Sequence, residues 1–306
     1  ADEMHHLEER GGWGEAFERA FSKARLVLMT TGTPFRSDGG RIPMVQTETA
    51  GSGMEKIVCN FSYGYDKALM DGVVREIEFQ PWEGSVQWRV TPTEGDTQEY
   101  DHGISEDLRV TYTDKLAKGE VEKLEGDRIR HCMDLPADGD GDCGYLIKAL
   151  AEADTMLKGI RQTSHPYAGG LVVCRDCAHA DATAALLERL TGQAPVVIHG
   201  GENGSLATEA KARLTSFQKS LTSQRERWMV TVGMVTEGVD VPHLRVLVYA
   251  TAVRAPLRWT QIVGRVLRKE DDIEMQTAVA YMPREPFLEE LMNNMRSAVQ
   301  SYKHRK

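Results

Sequence analysis

Along the C-terminal half of the chain, short unbroken apolar runs alternate with stretches of helical spacing. The runs fall at 171–174, 196–198, 228–232, 246–250 and 278–281, and an all-apolar run of this length predicts a strand covered on both faces, as in a parallel sheet. Between the first two, residues 178–190 carry apolar positions at helical spacing with Gly192 as a stop. Between the next two, a helix bearing Glu, Lys and Arg is predicted from about 206 to 221. Strand, helix, strand repeated is the α/β signature, and it places ligands beyond the carboxyl ends of the strands. The N-terminal portion repeats the idea once. Residues 13–21 are helical in pattern, 26–29 read as a buried strand, and Thr30, Thr31, Gly32, Thr33 and Pro34 follow as a polar loop broken by proline.

Composition narrows this picture. The 306 residues suffice for two domains, and 41% hydrophobic with 27% charged residues excludes both a disordered chain and a fibrous repeat. No apolar stretch approaches the roughly 18 residues of a membrane span, and the opening ADEMHHLEER is too acidic for a signal peptide. Five cysteines are odd in number and too sparse for a disulfide framework. A cytoplasmic protein with no membrane partner is the expectation. The net charge of −9 argues against nucleic acid only on average. Residues 94–154 hold 17 Asp/Glu against 7 Lys/Arg, a local −10, so the other 245 residues are close to neutral. That acidic stretch, poor in long apolar runs and containing Asp138-Gly139-Asp140-Gly141-Asp142, reads as a solvated connector or insertion. The expected division is therefore 1–92, an acidic connector at 93–160, and 161–306.

Two clusters carry candidate chemistry. In TQIVGRVLR at 260–268, a helix would gather Trp259, Ile262, Val263, Val266 and Leu267 on one stripe, and Gln261, Gly264, Arg265 and Arg268 on another. Two guanidiniums one turn apart suit the oxygens of a terminal phosphate, because each fork makes bidentate charge-assisted bonds. At the other end, Asp2-Glu3-Met4-His5 offers adjacent carboxylates. One can hold Mg²⁺ while its neighbour orients or deprotonates water.

Taken in chain order, DEMH at 2–5, TGTP at 31–34, LVVC at 171–174, EGVDVP at 237–242 and QIVGRVLR at 261–268 resemble motifs II to VI of the superfamily 2 helicases and translocases. The look is closest to the helicase subunits of type I and type III restriction systems and to bacterial DEAD/DEAH-box proteins. The resemblance implies a RecA-like P-loop NTPase fold, with part of a first domain and a complete second one. It implies that Asp2 coordinates Mg²⁺, that Glu3 activates water, and that His5, Thr31 and Thr33 couple hydrolysis of ATP to domain motion. Gly238 and Asp240 would line a cleft between the domains, Gln261 and Gly264 would face the nucleotide, and Arg265 and Arg268 would reach the γ-phosphate. An absent arginine finger costs roughly 10³ to 10⁵ in rate. The implied partner is nucleic acid, DNA ahead of RNA, and Arg175, Arg254 and Arg258 in the loops after strands are the candidate contacts. The alternatives are the motor subunit of a restriction or phage-defence complex, and a non-catalytic RecA-like scaffold.

This chain departs from the family pattern in two places. Val232 and Gly233 stand where many members carry a Thr-Asp pair before the glycine of motif V. No G-x-x-x-x-G-K-[ST] occurs, and Gly-Lys is absent throughout, so the phosphate cradle of a P-loop is not within these residues. The expectation is the C-terminal portion of a longer helicase, inactive by itself. Cys174, Cys177 and His179 lack a second cysteine pair for zinc, and Asp138, Asp140 and Asp142 meet Cys143 and Ala149 where an EF-hand needs Gly and Glu. His5-His6 lacks the HExxH spacing, His199 beside Gly200-Gly201 reads as a loop residue, and no serine lies in a G-x-S-x-G elbow.

Overall fold

The computed structural model describes residues 4, 7, 12–31, 42–49, 55–90, 97–112, 115–135, 144–199, 208–219, 227–232, 241–270, 273 and 276–305. Contacts divide the chain into two units, one of residues 1–64 with 255–261 and one of 65–254 with 262–306. In the first unit, α1 (Gly12–Phe21) forms where the spacing predicts a helix, and β1 (Thr47–Thr49) pairs antiparallel with β2 (Glu55–Ile57). The run at 26–29, expected as a buried strand, lies outside the described strands. Leu26 and Leu28 are 86% and 74% exposed, so its faces are not both covered as a buried parallel strand requires.

The second unit opens with α2 (Tyr65–Met70) and β3 (Glu76–Trp82), followed by the antiparallel hairpin of β4 (Ser85–Val90) and β5 (Gln98–Gly103). Then come α3 (Leu108–Thr111), α4 (Lys118–Cys132) and α5 (Tyr145–Thr163). The α/β repeat follows as β6 (Gly169–Cys174), α6 (Cys177–Thr191), β7 (Val196–Ile198), α7 (Thr208–Lys219), β8 (Trp228–Val232), β9 (Leu244–Ala250), α8 (Pro256–Gly264), β10 (Thr277–Pro283) and α9 (Pro286–Arg305). The first residues of α8 group with the first unit.

Six strands make one all-parallel sheet in the order β3-β10-β9-β6-β8-β7. All five apolar runs of the C-terminal half are strands of this sheet, and β6 and β9 are buried at every position. Gly192 ends α6 in the left-handed region at φ +73°, a conformation that glycine adopts without steric cost. Gly170 is needed for a different reason. A Cβ there would meet the Trp228 ring at 2.3 Å. The bare backbone lets that indole lie flat on β6 and donate to buried Asp154 on α5 at 3.0 Å.

β3 joins this sheet although sequence reasoning grouped it with the N-terminal portion. It pairs in parallel with β10 over its full length, and as an edge strand it tolerates Pro81. The acidic stretch also differs from a solvated connector. It supplies β5, α3, α4 and most of α5, and the apolar positions Leu124, Ile129, Leu146, Leu150 and Leu157 are buried. Among its described carboxylates, Glu120 and Glu122 are exposed, while Glu125 and Asp154 are buried in ion pairs with Arg254 and Lys158, so a high acidic count coexists with two core-forming helices.

Candidate functional site

From β6 the chain moves to β7 and β8 on one side, then crosses to β9 and β10 on the other. The carboxyl ends of β6 and β9 therefore flank the switch point, where an open parallel sheet forms its ligand crevice. Arg175 follows β6 and Arg254 follows β9. In this protein α4 and the residues just past it are bonded to the side chains that follow β6 and β9. Glu125 of α4 accepts from Arg254 Nη2 at 2.7 Å, and Asp134, just past α4, pairs with Arg175. Arg175 also donates to the Arg130 carbonyl at 3.1 Å, and His179 bonds the Met133 carbonyl at 2.9 Å. From α5, the Tyr145 hydroxyl reaches the carbonyls of Tyr249 and Tyr281, at 2.9 and 2.8 Å, near the ends of β9 and β10.

The charges beneath α4 form one cluster. Glu125, Arg128 and Glu285 are each no more than 1% exposed. Arg128 donates to the carbonyls of Gly103 and Glu106, both at 2.7 Å, which fastens the β4–β5 hairpin to α4. Glu285 caps α9 by accepting from Leu288 N–H at 3.0 Å, with Arg254 Nε at 3.4 Å from its other oxygen. Burial lowers the pKa of Arg128, and Glu285 and Glu125 oppose that shift. Arg175 is paired with Asp134 and Arg254 with Glu125, so both charges are already engaged from within the unit, whereas Arg258 is exposed. Cys174 ends β6 as an inert thiol, with its pKa pushed up to about 12 by burial.

The basic segment at 260–268 also differs from its expected form. The apolar stripe holds, with Trp259, Ile262, Val263, Val266 and Leu267 all buried. The helix does not continue to Arg268. α8 stops at Gly264, and the next three amides turn back to residues i−3, Arg265 to Ile262, Val266 to Val263 and Leu267 to Gly264. A tightened last turn of this kind is common at helix ends, and Gly264 lowers its cost. Arg265 sits in that turn and Arg268 in an antiparallel bridge with Val74, both half-buried. The two guanidiniums thus leave from a turn and an extended segment rather than from one helical face.

In the first unit, Met4 N–H donates to the Thr30 carbonyl at 3.1 Å. This bond sets Met4 beside Thr30, the residue that precedes Thr31. A cavity of about 680 Å³ is lined by Met4, Thr30 and Thr31, with Val27, Met44, Val58 and Phe61 among the apolar contributors. Thr31 is half-buried there. Gln261, half-buried on α8, groups with this unit, and Gly264, Arg265 and Arg268 with the second. Asp2, Glu3, His5, Thr33, Gly238 and Asp240 lie outside the described residues. Among those described, no helix is long and apolar enough to cross a membrane.

Sequence reasoning missed Glu125, Arg128 and Glu285. The available signal was a charged pair, Glu125 and Arg128, at i and i+3 inside the apolar periodicity of α4.

The molecule is an α/β protein organised on an all-parallel six-stranded sheet. No family model matches the chain. It is 34% identical over 291 residues to the uncharacterized protein Rv2917 of Mycobacterium tuberculosis, an alignment that takes in 95% of this chain and 42% of that protein. The chain thus spans about two fifths of the length of the curated relatives it matches. Solved structures similar to it include a fragment of an HsdR subunit of a type I restriction enzyme from Vibrio vulnificus, with TM-score 0.36 and 24% identity over 50% of this chain and 31% of that one. Another is the ATP-dependent type ISP restriction-modification enzyme LlaBIII bound to DNA, with TM-score 0.44 and 14% identity over 92% of this chain and 18% of that one.

Proposed function

We propose that the chain is part of the motor of a superfamily 2 helicase or translocase, an ATP hydrolase that acts on nucleic acid, DNA ahead of RNA. The observation that carries this reading is the bond from Met4 N–H to the Thr30 carbonyl, which joins two segments whose sequences resemble motifs II and III. The order of the remaining motifs supports it, with LVVC on β6 and QIVG on α8. In this reading Asp2 holds the Mg²⁺ of ATP and Glu3 takes the proton of the attacking water. Thr31 and Thr33 respond to the nucleotide, and Arg265 and Arg268 supply positive charge to the γ-phosphate. Guanidinium forks fit that ligand chemically, because phosphate oxygens accept paired N–H bonds. Gly238, Asp240, Gln261 and Gly264 belong to the same nucleotide site.

The test is ATP hydrolysis by a polypeptide extended to the length of the relatives, with single-stranded DNA, duplex DNA and RNA, beside the 306-residue chain. The extended protein should turn over with stimulation by one nucleic acid, and the chain alone, which contains no P-loop, should not. Arg265→Ala in the extended protein should abolish turnover while leaving nucleotide affinity within about tenfold, because a finger acts chiefly on the transition state. Equal loss of binding and turnover would remove that role. Nucleic-acid binding without hydrolysis in the extended protein would support the scaffold alternative. Co-purification of the native protein with nuclease or methyltransferase chains would identify a defence complex.

A further inference from the structure

Arg75 immediately precedes β3 and is 2% exposed. Its side chain reaches across to the residues that enter β9. Nη2 donates to the Pro242 carbonyl at 2.7 Å and Nη1 to the Leu244 carbonyl at 3.0 Å. Its backbone faces the other way. Arg75 N–H donates to the Leu267 carbonyl at 2.8 Å, and Val74 forms the antiparallel bridge with Arg268. One residue therefore fixes the end of the EGVDVP segment through its guanidinium and the end of the QIVGRVLR segment through its amide.

This arrangement is costly as a purely structural device. Nε of Arg75 has no hydrogen-bond partner among the described residues. A second buried cation, Arg245, lies beside it, tied to the Thr277 carbonyl by Nε and Nη2 at 3.0 Å each. Burial, then the Arg245 charge, draws the Arg75 pKa down to about 9, which still leaves it protonated at neutral pH. Glu270 is the carboxylate that opposes both shifts, and it is already bonded to His165 at 2.7 Å. A hydrophobic pair would stabilise such a spot at least as well. A buried guanidinium with an unpaired donor and a like-charged neighbour breaks the usual rule for a core, and departures of that kind mark positions under functional constraint. Only a planar fork spans two backbone carbonyls two residues apart while its own amide holds a third segment.

We infer that Arg75 is a positioning residue that holds the backbone at 242–244 in register with the backbone at 267–268, so that residues 242–244 and Arg268 shift as one body. The inference rests on the nucleotide reading given above. Arg75 touches neither nucleotide nor nucleic acid in this account, and acts through the two segments it joins.

The experiment uses the extended protein with Arg75→Lys and Arg75→Gln, both measured for melting temperature, KM for ATP, and turnover with and without nucleic acid. Positioning predicts KM within about threefold of the unsubstituted protein and a stimulated-to-basal turnover ratio lowered by about 10- to 100-fold, the scale expected when reacting groups are displaced by about 1 Å. A structural role alone lowers the melting temperature and scales both rates equally, leaving the ratio unchanged, and that result overturns the inference. A second measurement needs no variant. Hydrogen exchange of the unsubstituted extended protein should change on nucleotide addition at 73–76, 241–246 and 266–270 together, and a change confined to one of the three segments also overturns it. If the unsubstituted protein shows no stimulated turnover, the functional reading itself falls and the inference falls with it. Stimulated turnover with an unmoved ratio in the variants rejects the inference alone.

Discussion

His179 shows how one buried side chain after β6 sets a pH limit. It is 5% exposed at the start of α6, where Asp176 caps the helix by accepting from its backbone N–H at 2.8 Å. Its Nε2 meets the Met133 carbonyl, and its Nδ1 faces the Arg175 amide at 3.5 Å. Both contacts suit a neutral ring with the proton on Nε2, since an added proton on Nδ1 would point at an N–H. Burial, then the Arg175 guanidinium, holds its pKa below the ordinary 6.5. The unfolded chain therefore binds a proton at a higher pH than the folded one. Stability from this residue is complete above about pH 6.5 and is lost as the pH falls from there toward the lowered folded value. Denaturant unfolding at pH 5 to 8 should show a smaller loss on acidification for His179→Asn than for the unsubstituted protein. Parallel curves would place the acid sensitivity elsewhere. Nothing in the sequence announced this role, because the Met133 and Arg175 contacts span 46 and 4 positions and only the first is fixed by tertiary packing.

At the scale of elements, legibility followed burial on both sides. The five apolar runs became strands because a parallel strand between two helix layers has no polar face to obscure the pattern. Helices α4 and α5 were hidden for the opposite reason. In α5, Leu146, Ala149, Leu150, Ala153 and Leu157 keep helical spacing, but the acidic residues around them dominated the reading of composition. Periodicity decides structure where net charge does not, since a helix needs one apolar stripe and leaves its other face to water. The packing of α5 gives a direct check. Leu150 and Leu157 are fully buried, so Leu150→Ala should lower unfolding free energy by about 2 to 5 kcal/mol. Leu190, 40% exposed on α6, should tolerate the same change with a far smaller loss. Equal small effects in denaturant titrations would mean that α5 is not part of the core. The stop of α8 at Gly264 was also signalled, by the glycine itself, yet the amphipathic stripe continued through Val266 and Leu267 and masked it. Both residues stay buried through the turn, so the stripe reports burial correctly while overstating the helix.

For the molecule as a whole, the ion pairs of Arg175 and Arg254 change which cations can meet a phosphate backbone. Nucleic-acid contacts are read in α/β proteins from loops at the carboxyl ends of strands, and by that rule Arg175, Arg254 and Arg258 ranked together. The structure separates them. Arg254 lies between Glu125 and Glu285 and over the Phe287 ring at 5.7 Å, and Arg175 lies against Asp134. Removing Arg254 leaves two carboxylates of about 1–2% side-chain exposure without their guanidinium, a change that costs roughly 3 to 5 kcal/mol for a buried pair. Arg258 is exposed on α8 and has no such debt. In the extended protein, Arg254→Ala should therefore lower the melting temperature by several degrees and weaken DNA binding only to the extent that folded protein is lost. Arg258→Ala should leave the melting temperature in place, weaken DNA binding at all sequences alike, and reduce the salt dependence of binding by about one counterion, as loss of a single phosphate contact requires. Measuring affinity across salt concentrations on folded protein separates the two cases. If Arg254→Ala reduces the salt slope while Arg258→Ala does not, Glu125 of α4 must release Arg254 when DNA binds, and the acidic segment then competes with phosphate for that guanidinium.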